Sequence, residues 1–476
     1  MSSKKQPSTL TLTPEQMKAL GYRVIDLLVE HFTSVREKPV SRMASRAEME
    51  SLFREPLPLD GIGHDAVMEK IARDVVTNIM HLDHPRFFGF VSGPGNFIGA
   101  MGDALASGFN VFCSTWIESS SAAEIEIVSV DWIRQILGLP ETARGIFTSG
   151  GSVANLIGLM AARHVILDDR IADAVCYFSD QTHSSMVRGL RILGFLPHQI
   201  KKIPATESYR IDIDGLKKAV AKDRTEGKAP FAVVANAGTT NTGSVDPLHE
   251  IADFCQKEGL WYHVDGAYGA SAMLSDKGKA LLSGIEQADS VSIDPHKWLF
   301  QPLEIGCVLL KDGTLLRKTF HVLKEYMQDA ERTEEEVNFC DMGLQLTRGF
   351  RALKFWMTVK TFGLTAIQDA VSWGVELAEI AEAKMREKPI WEITSPAQLG
   401  IITFRYAPPG KTEQELNTIN GEIAKKTIGD QFAMLTTTEL KERLVLRLCT
   451  INPRTTREDI EKTIERLEKF GGEMVG

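Results

Sequence analysis

Leu260-Trp261-Tyr262-His263-Val264-Asp265-Gly266-Ala267-Tyr268-Gly269 is a short β-rich run that stops on an acid and then turns through small residues. The run is too compact and too apolar for a strand with one wet face; it suits a strand covered on both sides. Similar runs lie on either side of it. Phe231-Ala232-Val233-Val234 and Ala174-Val175-Cys176-Tyr177-Phe178 precede it, and Ser290-Val291-Ser292-Ile293 follows. Helical patterns, such as 122–137 and 247–258, separate them. Strand alternating with helix predicts an α/β fold with a mainly parallel sheet flanked by helices.

This alternation extends over residues 86–363, a large central domain. Before it, Thr13-Pro14-Glu15-Gln16 has the chemistry of a helix start: Thr can cap, Pro suits the first turn and Gln can close a capping box. Met17, Leu20, Val24, Leu27, Leu28 and Phe32 then form an apolar helical face. A Pro-containing connection, Arg54-Glu55-Pro56-Leu57-Pro58, and a further helix lead to His84-Pro85. Residues 1–85 thus read as a helical arm with apolar faces but little core of its own, so it must pack on something else. Residues 364–476 read as a small α+β domain: a long helix, strands at Ile401-Ile402-Thr403-Phe404 and Leu444-Val445-Leu446-Arg447-Leu448, and a closing helix from Thr456.

The length of 476 residues exceeds what one core sustains, in keeping with several units. The net charge of −9 offers no basic footprint for nucleic acid. No run approaches the ~20 apolar residues of a membrane span, and no signal-type apolar core follows the polar start. Cys113, Cys176, Cys255, Cys307, Cys340 and Cys449 are widely spaced, with no zinc-like pattern, and read as reduced buried thiols. A cytoplasmic protein with no metal centre and no nucleic-acid or membrane partner is expected.

In such sheets ligands collect where strands end, so the residues after each strand carry the functional signal. Asp294-Pro295-His296-Lys297-Trp298 puts a Lys at a strand end, where it could form a Schiff base with a carbonyl cofactor or simply lie at the surface. Asp265 ends its strand where a carboxylate can pair with a protonated pyridine nitrogen, and small Ala267 leaves room for a flat ring; Asp-Gly is also a common turn. Phe147-Thr148-Ser149-Gly150-Gly151-Ser152 is a Gly-rich turn opening a helix, which can cradle a phosphate or merely cap. His183, in Ser179-Asp180-Gln181-Thr182-His183-Ser184, could stack on a ring, move a proton or only pack. No phosphate-binding P-loop, G-x-G-x-x-G after a strand or zinc-protease motif is present. Together the four elements are the parts list for pyridoxal 5′-phosphate.

With those motifs, and with His84-Pro85-Arg86-Phe87-Phe88, Asn236-Ala237-Gly238-Thr239-Thr240 and Arg348-Gly349-Phe350-Arg351-Ala352-Leu353-Lys354, the chain resembles the group II pyridoxal-phosphate amino-acid decarboxylases. It is most similar to those acting on aromatic L-amino acids, over nearly its whole length. The resemblance implies the fold-type I, aspartate-aminotransferase-like architecture and a homodimer with shared active sites. It implies Lys297 as the Schiff-base residue, Asp265 as partner of the ring nitrogen, His183 stacked on the ring and Ala267 behind it. Gly151 and Ser152 match the phosphate turn, Thr239 a contact at the ring side, and His296 a residue that binds phosphate or orients substrate. Phe112 and Trp116 fall near positions that line the substrate mouth from a neighbouring subunit, with a packing role as the other reading.

Two departures stand out. Animal members have Asn where this chain has Asp294, an acid near a dianion. In animal and plant decarboxylases a loop Tyr eleven positions before the Phe of the R-x-F-R motif is thought to return a proton to the substrate carbon; here Phe339 stands there, as Phe does in plant aldehyde synthases of the family. Tyr326 on the same segment, His183 or a water is the other proton source. The acidic stretch 325–336 is expected to be a mobile lid. The resulting expectation is decarboxylation of an aromatic L-amino acid to its amine and CO2, with an aldehyde synthase or a decarboxylase of glutamate or cysteine sulfinate as alternatives.

Overall fold

The computed structural model describes residues 10–91, 93–322 and 336–475. A seven-stranded sheet forms the large domain: β1 (Arg144–Thr148), β2 (Ala174–Ser179), β3 (Ile200–Ile203), β4 (Ala229–Asn236), β5 (Trp261–Asp265), β6 (Ser290–Ile293) and β7 (Gly306–Leu310), in the order β1-β7-β6-β5-β4-β2-β3. Pairing is parallel from β3 through β6, and β7 runs antiparallel to both its neighbours. All residues of β2, β5 and β6 are buried, which is why these strands carry no polar alternation. Two apolar clusters, one on each face, sandwich the sheet. One holds Val233, Tyr262, Val264 and Trp298; the other holds Ala154, Phe178, Phe231 and Trp261.

The small domain is an antiparallel sheet of β8 (Trp391–Gln398), β9 (Ile401–Tyr406), β10 (Thr436–Leu440) and β11 (Arg443–Cys449), ordered β10-β11-β9-β8. β8 and β10 escape the sequence reading because their inner positions are only part-buried and their composition is polar (Glu392, Thr394, Thr436, Thr438). The long helix Ala352–Arg386 leads into this domain and departs from helical geometry at Gly363, whose φ of 76° suits glycine. The Phe88 N–H donates to the Met434 carbonyl and the Cys449 N–H to the Phe88 carbonyl, so the segment after His84-Pro85 joins the small sheet before the chain enters the large one.

The capping box at Thr13 forms as the sequence implies: the Gln16 N–H donates to Thr13 Oγ1 at 3.2 Å, and the Thr13 N–H to Gln16 Oε1 at 2.9 Å. Yet the Pro14–Ser34 helix it opens buries none of its residues within this chain, and Met17 and Tyr22 remain 52% and 69% exposed. At its foot the arm is fastened by polar contacts, His31 to Asp83 at 2.9 Å and Arg36 to Asp459 at 2.9 Å. Among the described residues no helix is long and apolar enough to cross a membrane.

Candidate active site

The carboxyl ends of β4, β5 and β6 and the turn before the Gly151–Leu167 helix converge on a cavity of about 370 Å3. Gly151, Ser152, His183, Thr239, Asp265, Ala267, His296 and Lys297 all line it. Residues far apart in the chain meet here because parallel strands deliver their ends to one edge of the sheet. Strand register sets Asn236, Asp265 and Ser292 side by side at that edge. Asp265 Oδ1 accepts the Ala267 N–H at 3.2 Å and the Ser292 hydroxyl at 3.4 Å, which fixes the carboxylate while leaving acceptor capacity toward the cavity.

Lys297 follows β6 in a turn in which its N–H donates to the Asp294 carbonyl. Its Nζ lies 3.0 Å from Asp294 Oδ2. Asp294 is only 2% exposed, and its second oxygen, Oδ1, has no hydrogen-bond partner. The same carboxylate meets the Gly-rich turn: a Cβ on Gly151 would lie 2.8 Å from Asp294 Oδ2 and 2.9 Å from the Ala267 methyl. Only glycine fits, and its bare backbone leaves the free N–H groups of the helix start open to the cavity.

The imidazoles differ in setting. His183 stands exposed at the rim, and its Nδ1 lies 2.9 Å from Ser185 Oγ and accepts the Ser185 N–H at 3.3 Å. An accepting Nδ1 places the ring proton of the neutral form on Nε2. His296 is held through Nδ1, 2.6 Å from the Ile305 carbonyl, and presents Nε2 to Asp294 Oδ2 at 3.7 Å. Burial lowers the His296 pKa, with Asp294 opposing. The Thr239 hydroxyl is bound to the Thr242 hydroxyl at 2.8 Å, inside a buried turn.

Several participants were not singled out from the sequence. Asn236 lines the cavity and bridges Thr182 Oγ1 at 2.9 Å and Asp246 Oδ2 at 2.8 Å; Asp246 is fully buried, which raises its pKa. His263 lies under the site, fully buried, between Ser290 Oγ at 2.7 Å and Asn155 Oδ1 at 3.0 Å, and burial lowers its pKa to about 4. Tyr268 stacks on Trp298 at 5.2 Å and its hydroxyl accepts the Gly400 N–H at 2.8 Å, tying the site to the small domain. A polar residue just past a strand end was the available signal for Asn236; the others depend on contacts distant in sequence.

Three expected residues do not line this cavity. Phe112 and Trp116 are part-buried and line no part of it; the Trp116 N–H donates to Asn338 Oδ1 at 2.9 Å. Phe339 was expected on a substrate loop. In this chain it is 2% exposed, packed in the core, with the Arg348 guanidinium 5.0 Å above its ring. It borders a different cavity of about 620 Å3, beside Arg134 and Arg144. Tyr326, with positions 325–335 of the acidic stretch, lies outside the described residues. Among the described residues, His31, His81 and Asp83 bring possible metal-binding atoms within 4.8 Å of one another; none of the three lines the cavity, and Arg454 already contacts Asp83 at 3.3 Å.

The pyridoxal-dependent decarboxylase conserved domain matches residues 47–407. The chain is 46% identical over 467 residues to an aromatic-L-amino-acid decarboxylase of Bacillus atrophaeus, covering 98% of this chain and 97% of that one. It is 28% identical to a phenylacetaldehyde synthase of Petunia hybrida, covering 94% of this chain and 92% of that one. Among solved structures, Oryza sativa TDC with PLP and tryptamine superposes with a TM-score of 0.93 at 27% identity, over 99% of this chain and all of that one.

Proposed function

The chain belongs to the pyridoxal-dependent decarboxylases, and from that premise we propose that it removes the α-carboxylate of an aromatic L-amino acid as CO2 and releases the amine. It is a pyridoxal-phosphate-dependent carboxy-lyase. The observation that carries the reading is the convergence of all eight expected residues on one cavity at the strand ends. The choice of aromatic substrates leans on the near-complete likeness to the Bacillus atrophaeus enzyme.

The residues fit the cofactor. A turn that admits no Cβ at Gly151, a helix start with free N–H groups and an amine at Lys297 suit a phosphate and an aldehyde. Asp265, anchored by Ala267 and Ser292, suits a protonated ring nitrogen. When bound, pyridoxal phosphate supplies an aldehyde that condenses with amines and a ring that accepts the electron pair freed when CO2 departs.

The roles of the chain's own residues follow from their settings. Lys297 provides the amine that holds the cofactor. Asp265, already oriented by Ala267 and Ser292 before anything binds, would offer its carboxylate to the ring nitrogen. Ala267 leaves one face of the ring space open to backbone. His183 stands at the rim in reach of solvent, and its imidazolium form can hand the Nε2 proton to a substrate carbon, return to the neutral ring and be recharged from water. The exposed apolar arm supports a homodimer in which a second copy covers the arm and closes the substrate mouth, with Phe112 and Trp116 contributing from that side. The burial of all six cysteines agrees with a reducing cytoplasmic setting.

The test is product analysis with tryptophan, tyrosine, phenylalanine, dihydroxyphenylalanine, glutamate and cysteine sulfinate. Amine and CO2 in equal amounts from an aromatic substrate, without peroxide, is the expected result. Turnover of the acidic substrates alone would refute the aromatic assignment, and aldehyde with stoichiometric peroxide would replace simple decarboxylation by oxidative deamination.

A further inference from the structure

Asp294 sets a carboxyl group against the glycine turn that suits the cofactor's phosphate. Its Oδ2 pairs with Lys297 Nζ at 3.0 Å, and it abuts the glycine turn that opens the Gly151–Leu167 helix. Its Oδ1 is buried and lacks a partner. Before cofactor arrives the carboxylate therefore has two sources of stabilisation, the lysine ammonium and the positive end of the helix. Binding removes both at once. The helix end would face the phosphate, and the Lys297 nitrogen would bond to the aldehyde carbon as the oxygen leaves as water with two of the three ammonium protons, the third staying on the nitrogen or passing to a neighbouring base. A buried carboxylate would then face a phosphate without its direct lysine partner, and like charges in one site favour uptake of a proton by one of them.

Among the described residues the charged and titratable groups facing this carboxylate are Lys297, His296 with Nε2 at 3.7 Å, and Cys307 behind it on β7. His296 is fastened to the Ile305 carbonyl through Nδ1, and the thiol is fully buried. The oxygen with an unused bonding position is Asp294 Oδ1.

We propose that Asp294 is a positioning residue that makes cofactor capture proton-coupled: it neutralises Lys297 in the cofactor-free protein and takes up one proton when the phosphate seats, the one that the Lys297 ammonium sheds on bonding to the aldehyde or, where that nitrogen keeps it, one from solvent. The inference rests on the pyridoxal-phosphate reading. It makes cofactor retention weaken with rising pH relative to a protein that carries an amide at this position.

The experiment is cofactor binding by the full chain, followed by absorbance and by calorimetry in buffers of different ionisation enthalpy, for wild type and Asp294→Asn. At pH 7 wild type takes up about one more proton per cofactor than Asp294→Asn. Above the phosphate's own titration near pH ~6, the ratio of wild-type to Asp294→Asn Kd rises by up to about tenfold per pH unit, so at pH 8.5 the variant binds about tenfold or more tightly. Thermal melting gives a second readout with crossed signs: Asp294→Asn lowers Tm without cofactor, because Lys297 loses its partner, and raises the Tm gain on adding cofactor. Asp294→Ser keeps the test available where the amide disturbs folding. Equal proton uptake and equal pH slopes in the two proteins overturn the proposal, as does weaker binding by the variant at every pH. Wild type that does not bind pyridoxal phosphate would instead overturn the cofactor reading itself.

Discussion

Arg348 shows how one residue organises the ground beneath the site. Its guanidinium reaches Glu126 Oε1 at 2.6 Å and donates to the carbonyls of Cys113 and Phe147 at 3.0 and 2.8 Å, with both side chains essentially inaccessible. Removing one partner of such a pair strands the other charge, so Arg348→Ala should cost about 3–5 kcal/mol in urea unfolding. Replacing both by apolar residues, Arg348→Met with Glu126→Leu, should recover most of the loss. A single variant within 1 kcal/mol of wild type would contradict a buried, uncompensated charge. Arg348 was visible in the sequence as part of a motif, but its role was not, because its partners lie 222 and 201 residues away. Phe339 teaches the same lesson from the other side. Counting from that motif set it on a substrate loop, whereas packing under Arg348 makes it a core residue of this chain.

At the scale of elements, β5 was the most legible part of the molecule. Its five residues are buried on both faces and its last one, Asp265, arrives at the cavity as strand geometry requires. The same burial makes His263, in its middle, sensitive to acid. Burial lowers the pKa of His263 to about 4, and burial with Arg86 nearby does the same for His84, whose Nε2 has no partner. Both are uncharged when folded and take up a proton near pH 6.5 when unfolded, so the unfolded state binds more protons between those values. Stability should therefore be full above about pH 6.5 and decline as pH falls toward 4, each histidine contributing on the order of 3 kcal/mol at the acid end. Chemical unfolding at pH 7, 6 and 5 checks this; unchanged stability from 7 to 5 would contradict it. The less legible elements were β8 and β10, whose polar residues hide a strand pattern that only pairing with the inner strands creates.

On the scale of the whole molecule, the arm is the unfinished part. The Pro14–Ser34 helix has a good cap and an apolar face, yet buries nothing in its own chain. An amphipathic helix left bare in this way needs a partner, and a second copy is the expected one. Light scattering should give a dimer, and Met17→Asp with Val24→Asp should shift it toward monomer at micromolar concentration; a monomeric wild type would refute the assignment. The sequence by itself determined the sheet of strands and helices, the cofactor class and the residues at the strand ends, because those depend on local periodicity and on chemistry that must follow a strand. Only the tertiary structure decided that Asp294 pairs with Lys297, that Phe339 is buried and that Arg348 joins three distant segments. Those facts depend on which side chains share a volume once the chain has closed, and burial is what turns an acid, a histidine or an arginine into a group whose charge must be matched.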